Sequence, residues 1–516
     1  MSQLARILVN TLGSSARLVV SLLVWIILTP VMLRVLGVDD FGLWQLIGST
    51  VGLFQLLDVG FGVGVVSAVG QATGNGDLEG RNRTLSTYLA AYLALAVIAA
   101  VGLGLFGLWF PQLFSLSPAS AGKARVVLWL MGLRLVVFAL PFSLYRGVLV
   151  GEQRIGQANL VQGLSLVVYG AAALLAMGYG AGLMTLAMLS LAAMLLEHAA
   201  YVALAFRWTP QLHVSVSLVD LRPAMGLSVA QMLIALSGLI RLRTDPVIVQ
   251  LFIGLPAVAA YTIALRVAEQ GFLAIKQFIY TLSPVVARLH GQKNEGMLRV
   301  VLLTGTKIGM VPAALLVGVT VPLGQPALAF WVGPELAIVA PTMTVLVVAM
   351  ALAVPREVVF NLFVYTGRHR LPGLAAIVGA GLNLVATLLL VRPFGLLGVA
   401  MGTLISTLVV DVGWVSVFAC RLYQVRYRDY RRAALLPALL PAVPQIAITL
   451  LLVRGYPPSS LFAVLLYTLP GVAAYLGAFW MAGLSADERR EARSLLIPAR
   501  VWESVQQAVR STARVG

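Results

Sequence analysis

The stretch from Tyr88 to Phe110, "YLAAYLALAVIAAVGLGLFGLWF", contains no charged side chain and is apolar on every face. Roughly 20 such residues in a helix cross the hydrocarbon core of a bilayer. Comparable runs recur along almost the whole chain, centred near residues 26, 54, 97, 138, 168, 194, 239, 269, 311, 349, 382, 408, 443 and 471. The expectation is an all-α polytopic membrane protein with about fourteen transmembrane helices. A β-barrel would instead show strands of about ten residues alternating apolar and polar. Composition agrees with helices in lipid: of 516 residues 60% are hydrophobic and 11% charged, with a mean hydropathy of +0.95.

The net charge of +17 would point to nucleic acid in a soluble protein, but here its distribution along the chain excludes that partner. Of the 36 basic residues, 23 fall in the N-terminus, every second connection and the C-terminus, 5 in the intervening connections and 8 within helices. Lys and Arg accumulate on the cytoplasmic side of membranes, so both termini are expected in the cytoplasm. The opening residues lack a compact signal-peptide core with a small-residue cleavage site, and the N-terminus is expected to be retained. Cys420 is the single cysteine and reads as a small apolar helix residue. From Ser485, a capping-box pattern with Glu488 opens an amphipathic basic tail, expected as a cytoplasmic surface helix.

Shifting the chain by 216 or 217 residues superposes its punctuation: Gly37 falls on Gly254, Trp44 on Tyr261, Gly74 on Gly291, Gly151 on Gly367, Gly182 on Gly398 and Ser190 on Ser406. Six helices fill each period, so both copies enter the membrane from the same side, as two parallel six-helix repeats plus two C-terminal helices. The expected division is an N-lobe at 1–222, a C-lobe at 223–430, two further helices at 431–484 and the tail at 485–516. Parallel repeats of this kind suit transporters that rock two halves about a central site.

Eight cations facing lipid would cost on the order of 20 kcal/mol at about 2.5 to 3.5 kcal/mol each, more than an ordinary protein's stability of roughly 5 to 15 kcal/mol. The central ones must therefore face water or partners, while Arg17, near a helix end, can snorkel. In "RVAEQGFLAIKQFIY", Arg266, Glu269, Gln270, Leu273, Lys276, Gln277 and Tyr280 share about a 120° arc, and Phe272 covers another face. The stripe reads as the wall of an aqueous cavity, or as an ion-pair ladder begun by Arg266 and Glu269, three apart. In "GLIRLRTDPVIVQ", Arg241 and Asp245 can pair four residues apart, leaving Arg243 for an anion that a guanidinium grips bidentately. Pro246 is expected as a kink within that helix. Arg134, Phe138, Pro141 and Tyr145 place a cation and aromatics on one helical face. Arg17, Asp58, Glu197, Lys307, Arg356, Glu357 and Asp411 complete the intramembrane set, for which pairing between helices competes with ligand contact.

No phosphate loop, HExxH motif or histidine cluster is present, so neither a cofactor nor a metal is expected. Asp39 and Asp40, which a membrane glycosyltransferase would place outside the membrane, sit in a short connection beside Gly37 and read as a turn and helix start. No enzymatic activity is expected.

The segment "TPVMLRVLGVDDFGLW" followed by "FQLLDVGFGVGVVSAVGQATGNGD", residues 29 to 77, resembles the polysaccharide flippases of the multidrug, oligosaccharidyl-lipid and polysaccharide exporter superfamily, including the O-antigen (Wzx-type) flippases. The shared pattern is a proline, a leucine-glycine turn, a Phe-Gly-Leu step and an Asp-Gly near the end of the second helix. The resemblance implies a bacterial inner-membrane protein that moves a polyprenyl-diphosphate-linked oligosaccharide to the external leaflet through a cationic cavity by alternating access. It implies membrane lipids, a polysaccharide polymerase and glycosyltransferases as partners. On this reading Arg241, Arg243, Arg266, Lys276, Arg134 and Tyr280 contact substrate, while Asp245, Glu269 and Asp58 serve coupling or ion pairing. Two alternatives stay open: a cation-coupled small-molecule exporter of the same superfamily, relying on the acidic residues, and a non-transporting scaffold for polysaccharide assembly.

Overall fold

The computed structural model describes residues 3–496 apart from 55, 210, 217–237, 239–242 and 369, with side chains described from Ala16 onward except at 56–60, 63 and 493–496. Among the described residues every regular element is a helix. Eleven of these helices are long and apolar enough to cross a membrane. Two of the eleven change direction at glycines of positive φ, Gly37 and Gly395, and the seventh expected helix falls largely on residues outside the described ones. Residues 243–252 of that segment are helical through Pro246, in keeping with a proline inside the helix.

Lipid rather than water explains which face of each helix is buried. In the Leu78–Leu113 helix, Tyr92, Ala96, Ala99, Leu103 and Phe110 are buried, while Val97, Ile98, Val101 and Trp109 are exposed although equally apolar. Polar groups go inward and find partners there. Asn383 donates to Thr403 at 3.0 Å, Ser406 to the Gly379 carbonyl at 2.7 Å, and Gln445 to the Leu315 carbonyl at 3.1 Å.

The backbone repeats its turns. Gly37, Gly76, Ser115, Gln153 and Gly180 have positive φ, and a second series, Gly254, Lys293, Gly333, Gly367 and Gly395, follows each in order after 214 to 218 residues. At Gly37 (φ 77°) and Gly254 (φ 129°) the chain leaves one helix and begins the next at an angle that a side chain would strain. Beyond Gly37, Gly42 lies against the backbone of Leu255, with no room for a Cβ between them. One buried cluster holds these two regions together: it runs through the whole depth of the residues before 217, but takes from the later residues only the end carrying Leu255, Tyr261, Leu336 and Leu346. At the opposite end the later residues form a separate cluster around Ile279, Leu302, Phe363 and Tyr430. The halves of the chain are thus packed together at one end and independently cored at the other, with a set of internal cavities between and within them.

Candidate functional site

Three adjoining cavities lie in the interior among the described residues. The first, of about 580 Å³, lies among the later residues and is lined by Arg243, Asp245, Arg266, Glu269, Lys276 and Tyr280, with Arg356, Glu357 and Asp411 opposite. The second, of about 210 Å³, lies at the junction of the halves and is lined by Trp44, Gln45, Arg134, Arg243, Arg266 and Glu269. The third, of about 430 Å³, lies on the N-terminal side and is lined by Arg17, Arg134, Tyr169, Glu197, Arg266 and Gln270. Arg266 lines all three, so they meet at one guanidinium.

The Leu255–Tyr280 helix positions most of the expected stripe. Arg266, Glu269, Leu273, Lys276 and Tyr280 line the first cavity and Gln270 the third. Two details differ from the helical-wheel expectation: Phe272 lines the first cavity, and Gln277 is not among its lining residues. Arg134 reaches the junction and the N-terminal cavity, but Phe138, Pro141 and Tyr145 do not accompany it. Residues Arg134–Ala139 form a π-helix, which breaks the assumed spacing, and Tyr145 packs on Phe142 and Phe206. Arg17 does not snorkel away; it lines the N-terminal cavity, where its Nε is buried without a hydrogen-bond partner. Arg241 lies outside the described residues, as does the side chain of Asp58, so the expected Arg241–Asp245 pair has no described counterpart.

Charge pairing separates the cavities chemically. In the first, four cations (Arg243, Arg266, Lys276 and Arg356) face four carboxylates (Asp245, Glu269, Glu357 and Asp411). Lys276, which has no local partner in sequence, meets Glu357 at 3.0 Å. Arg356 bridges Glu357 at 2.8 Å and Asp411 at 2.9 Å, giving a ladder of alternating sign across three helical segments. Asp411 joins it from a π-helix, Thr407–Val415. Asp245 is 1% exposed and accepts a 2.6 Å hydrogen bond from Tyr261, the residue that the internal repeat aligns with Trp44. Arg266 lies 3.5 Å from Glu269, the i,i+3 pair expected from sequence.

The junction cavity is unbalanced: Arg134, Arg243 and Arg266 face Glu269 alone among the described residues. Arg243 Nε is buried there without a hydrogen-bond partner. A buried N–H donor without a partner costs free energy, and an oxygen acceptor would relieve it. Arg134 of the first half thus joins Arg243 and Arg266 of the second between the halves, while Lys276, lower on the Leu255–Tyr280 helix, is paired with Glu357. Sequence reading left Arg356, Glu357 and Asp411 open between pairing and ligand contact; the structure pairs Arg356 both with its neighbour Glu357 and with Asp411 on another helix.

The protein-family comparison matches the model described as "Polysaccharide biosynthesis protein" over residues 6–290, more than half of the chain. No curated protein matches it in sequence. Among solved structures it is similar to the lipid II flippase MurJ in an inward closed conformation, with a TM-score of 0.72 and 14% identity, covering 91% of this chain and 98% of that one. It is similar to an inward-facing multidrug resistance MATE family transporter of the MOP superfamily, with a TM-score of 0.63 and 19% identity over 80% of this chain and 94% of that one. A MOP superfamily transporter from Pyrococcus furiosus, described as having a binding pocket of reverse polarity, gives a TM-score of 0.58 and 17% identity over 81% of this chain and 95% of that one. These structures share its fold. With the family match spanning the first half and the fold spanning nearly the whole, the chain belongs to the polysaccharide biosynthesis protein family.

Proposed function

We propose that this protein is a flippase that moves a polyprenyl-diphosphate-linked oligosaccharide from the cytoplasmic to the external leaflet, the diphosphate resting in the junction cavity. The observation that carries this reading is the surplus of Arg134, Arg243 and Arg266 over Glu269, with Arg243 Nε unsatisfied. Guanidinium groups in a poorly hydrated space hold phosphate oxygens bidentately. The polyprenyl chain would stay in lipid while the charged and sugar portions pass through the cavities, so no charge enters hydrocarbon. Two halves rocking about the junction, with an N-lobe at 1–222 and a C-lobe at 223–430, would alternate its access. In this reading both termini are cytoplasmic, the membrane is the bacterial inner one, and glycosyltransferases and a polymerase supply and consume the glycan. The chain itself performs no chemistry on it.

Cation-coupled export of small molecules requires a carboxylate able to take up the coupling ion. Asp245, Glu269, Glu357 and Asp411 are each already engaged by a hydroxyl or a basic side chain. A scaffold with no transport role leaves the three connected cavities and their polar linings without a use.

The test replaces Arg134, Arg243 and Arg266 one at a time by Gln and measures surface glycan at equal protein abundance. A hydrogen bond to a charged group contributes about 1.5 to 3 kcal/mol, so each change is expected to lower export by about tenfold or more. Lys276→Gln is expected to act more weakly, since Lys276 is already paired with Glu357. Normal export by all three arginine variants would overturn the proposal. Drug accumulation governed by Asp245→Asn and Glu269→Gln would replace it with the cation-coupled exporter.

A further inference from the structure

We propose that Trp331 is a latch for the end at which the two halves meet, its indole N–H holding a backbone carbonyl, that of Ile26, which Pro30 has deprived of its helical donor. Within a helix each carbonyl accepts from the N–H four residues on, and proline has none, so Pro30 inside the Gln3–Phe54 helix leaves Ile26 without that partner. Trp331 Nε1, on the Glu295–Val332 helix of the second half, donates to this carbonyl at 2.8 Å. The Trp25 and Trp331 rings meet edge to face, with centres 4.8 Å apart and planes inclined at 62°, which holds the indole in place beside the freed carbonyl. Ile26 lies in the apolar Ala16–Phe54 span, where a carbonyl without a donor is costly. The inference concerns how the halves part, and it stands whatever they carry.

The place of this contact in the fold makes it a latch. Leu28 and Met32, on either side of Pro30, and Leu336 and Ala337, just beyond Trp331, all belong to the buried cluster that joins the halves, and Trp331 itself packs against that cluster. Rocking the halves to expose the other side requires this end to part. Parting carries the indole away from Ile26, while Pro30 still denies the carbonyl a donor from its own helix. The joined arrangement thus contains a hydrogen bond that the first helix cannot replace from its own backbone when the halves separate. A second contact between the halves has the same form: Gln250 donates to the Phe114 carbonyl at 3.1 Å, and Phe114 stands four residues before Pro118. There, however, the carbonyl ends the Leu78–Leu113 helix, and Gln250 keeps its own Oε1 buried without a partner, which offsets the bond. Trp331 therefore carries the greater part.

The experiment uses the full-length protein in lipid nanodiscs and a bulky water-soluble maleimide. Cys420→Ser removes the single native thiol, and Ala259→Cys places a new one at a fully buried position of the joining cluster, one turn beyond Leu255. Its modification rate, divided by that of the exposed Glu335→Cys in the same background, follows how often this end opens. Trp331→Phe keeps a ring against Trp25 and removes the N–H; it is expected to raise the relative rate about fivefold, the weight of one neutral hydrogen bond. Pro30→Ala returns an N–H to Ile26 and is expected to raise the rate several-fold by itself. Adding Trp331→Phe to it is expected to bring less than about a twofold further rise, because the carbonyl no longer needs the indole. The loss of ring bulk in Trp331→Phe is the same in both backgrounds, so this difference isolates the hydrogen bond. An unchanged rate in Trp331→Phe, an equal effect of it with and without Pro30, or a larger effect of Gln250→Met would overturn the latch. If Trp331→Phe does not fold, an unchanged rate in Pro30→Ala does so.

Discussion

The Arg243 side chain packs directly on Gly52 beside the junction cavity, and this contact makes the guanidinium's position testable without touching its charge. A Cβ at Gly52 would lie 3.2 Å from Arg243 Nε, whereas one at Gly48, which lines the same cavity, would meet nothing within 4 Å. Gly52→Ala is therefore expected to push the arginine out of register and lower glycan export several-fold. Gly48→Ala is expected to leave export within about twofold, its added methyl reducing backbone freedom by a contribution of at most about 1 kcal/mol. Surface glycan measured for the two variants at matched abundance checks the pair; equal behaviour would mean that Arg243 is free to relocate and is not held for a ligand. Lys276 illustrates the opposite condition. Held by Glu357 at 3.0 Å and lying 5.6 Å from the Tyr280 ring centre, it belongs to the wall and not to the unsatisfied charge.

At the level of helices, the tail is bound more closely than a solvated surface helix. Ser485 and Glu488 form the expected capping box, with Ser485 N–H donating to Glu488 at 2.8 Å and Glu488 N–H to the Ser485 hydroxyl at 3.2 Å. The same Glu488 carboxylate accepts from Lys307 at 2.7 and 2.8 Å, and Lys307 is only 8% exposed on the Glu295–Val332 helix. Burial by itself would raise the Glu488 carboxyl, but hydrogen bonds from Lys307 and the Ser485 N–H outweigh it and hold the group below the usual carboxylate range. A depressed carboxyl stabilises the docked tail at and above its ordinary value, and that contribution is lost as pH falls through the lowered value. Tail docking, followed by limited proteolysis of residues after Ser485, is thus expected to be intact at neutral pH and to weaken in acid. Glu488→Gln leaves the Lys307 ammonium without its charged partner, should weaken docking at neutral pH by about 1.5 kcal/mol, and should remove the acid dependence. A tail equally protected in that variant would show that apolar contacts alone hold it.

For the molecule as a whole, the arrangement of buried clusters shows which end is closed. The cluster joining both halves lies at the end where Gly42 meets Leu255, and the opposite ends are cored separately. If the carried species is a diphosphate leaving the cytoplasm, a potential negative inside assists it by roughly 2.3 kcal/mol per charge per 100 mV over the full field. Vesicles with an imposed potential are therefore expected to transfer a polyprenyl diphosphate carrying a neutral trisaccharide faster when the side of departure is negative, and more slowly when the sign is reversed. A rate indifferent to the sign of the potential would mean that the protein's own charges move with the substrate and cancel it.

Membrane residence and helicity were legible in the chain itself, because a run such as Tyr88 to Phe110 can satisfy its backbone in lipid only as a helix. The stripe on the Leu255–Tyr280 helix was legible too, since spacing along one helix fixes which residues share a face. Glycines 217 residues apart, Gly37 and Gly254, announced matching turns because only glycine takes their backbone angles without strain. What the tertiary structure alone decided was which charges cancel. Arg356 finds Asp411 across 55 residues and Lys307 finds Glu488 across 181. Arg17 and Arg243, with no visible distinction in sequence from those two, keep unsatisfied atoms at the cavities. Electrostatic attraction depends on distance through space, whereas sequence spacing measures distance only within a single helix.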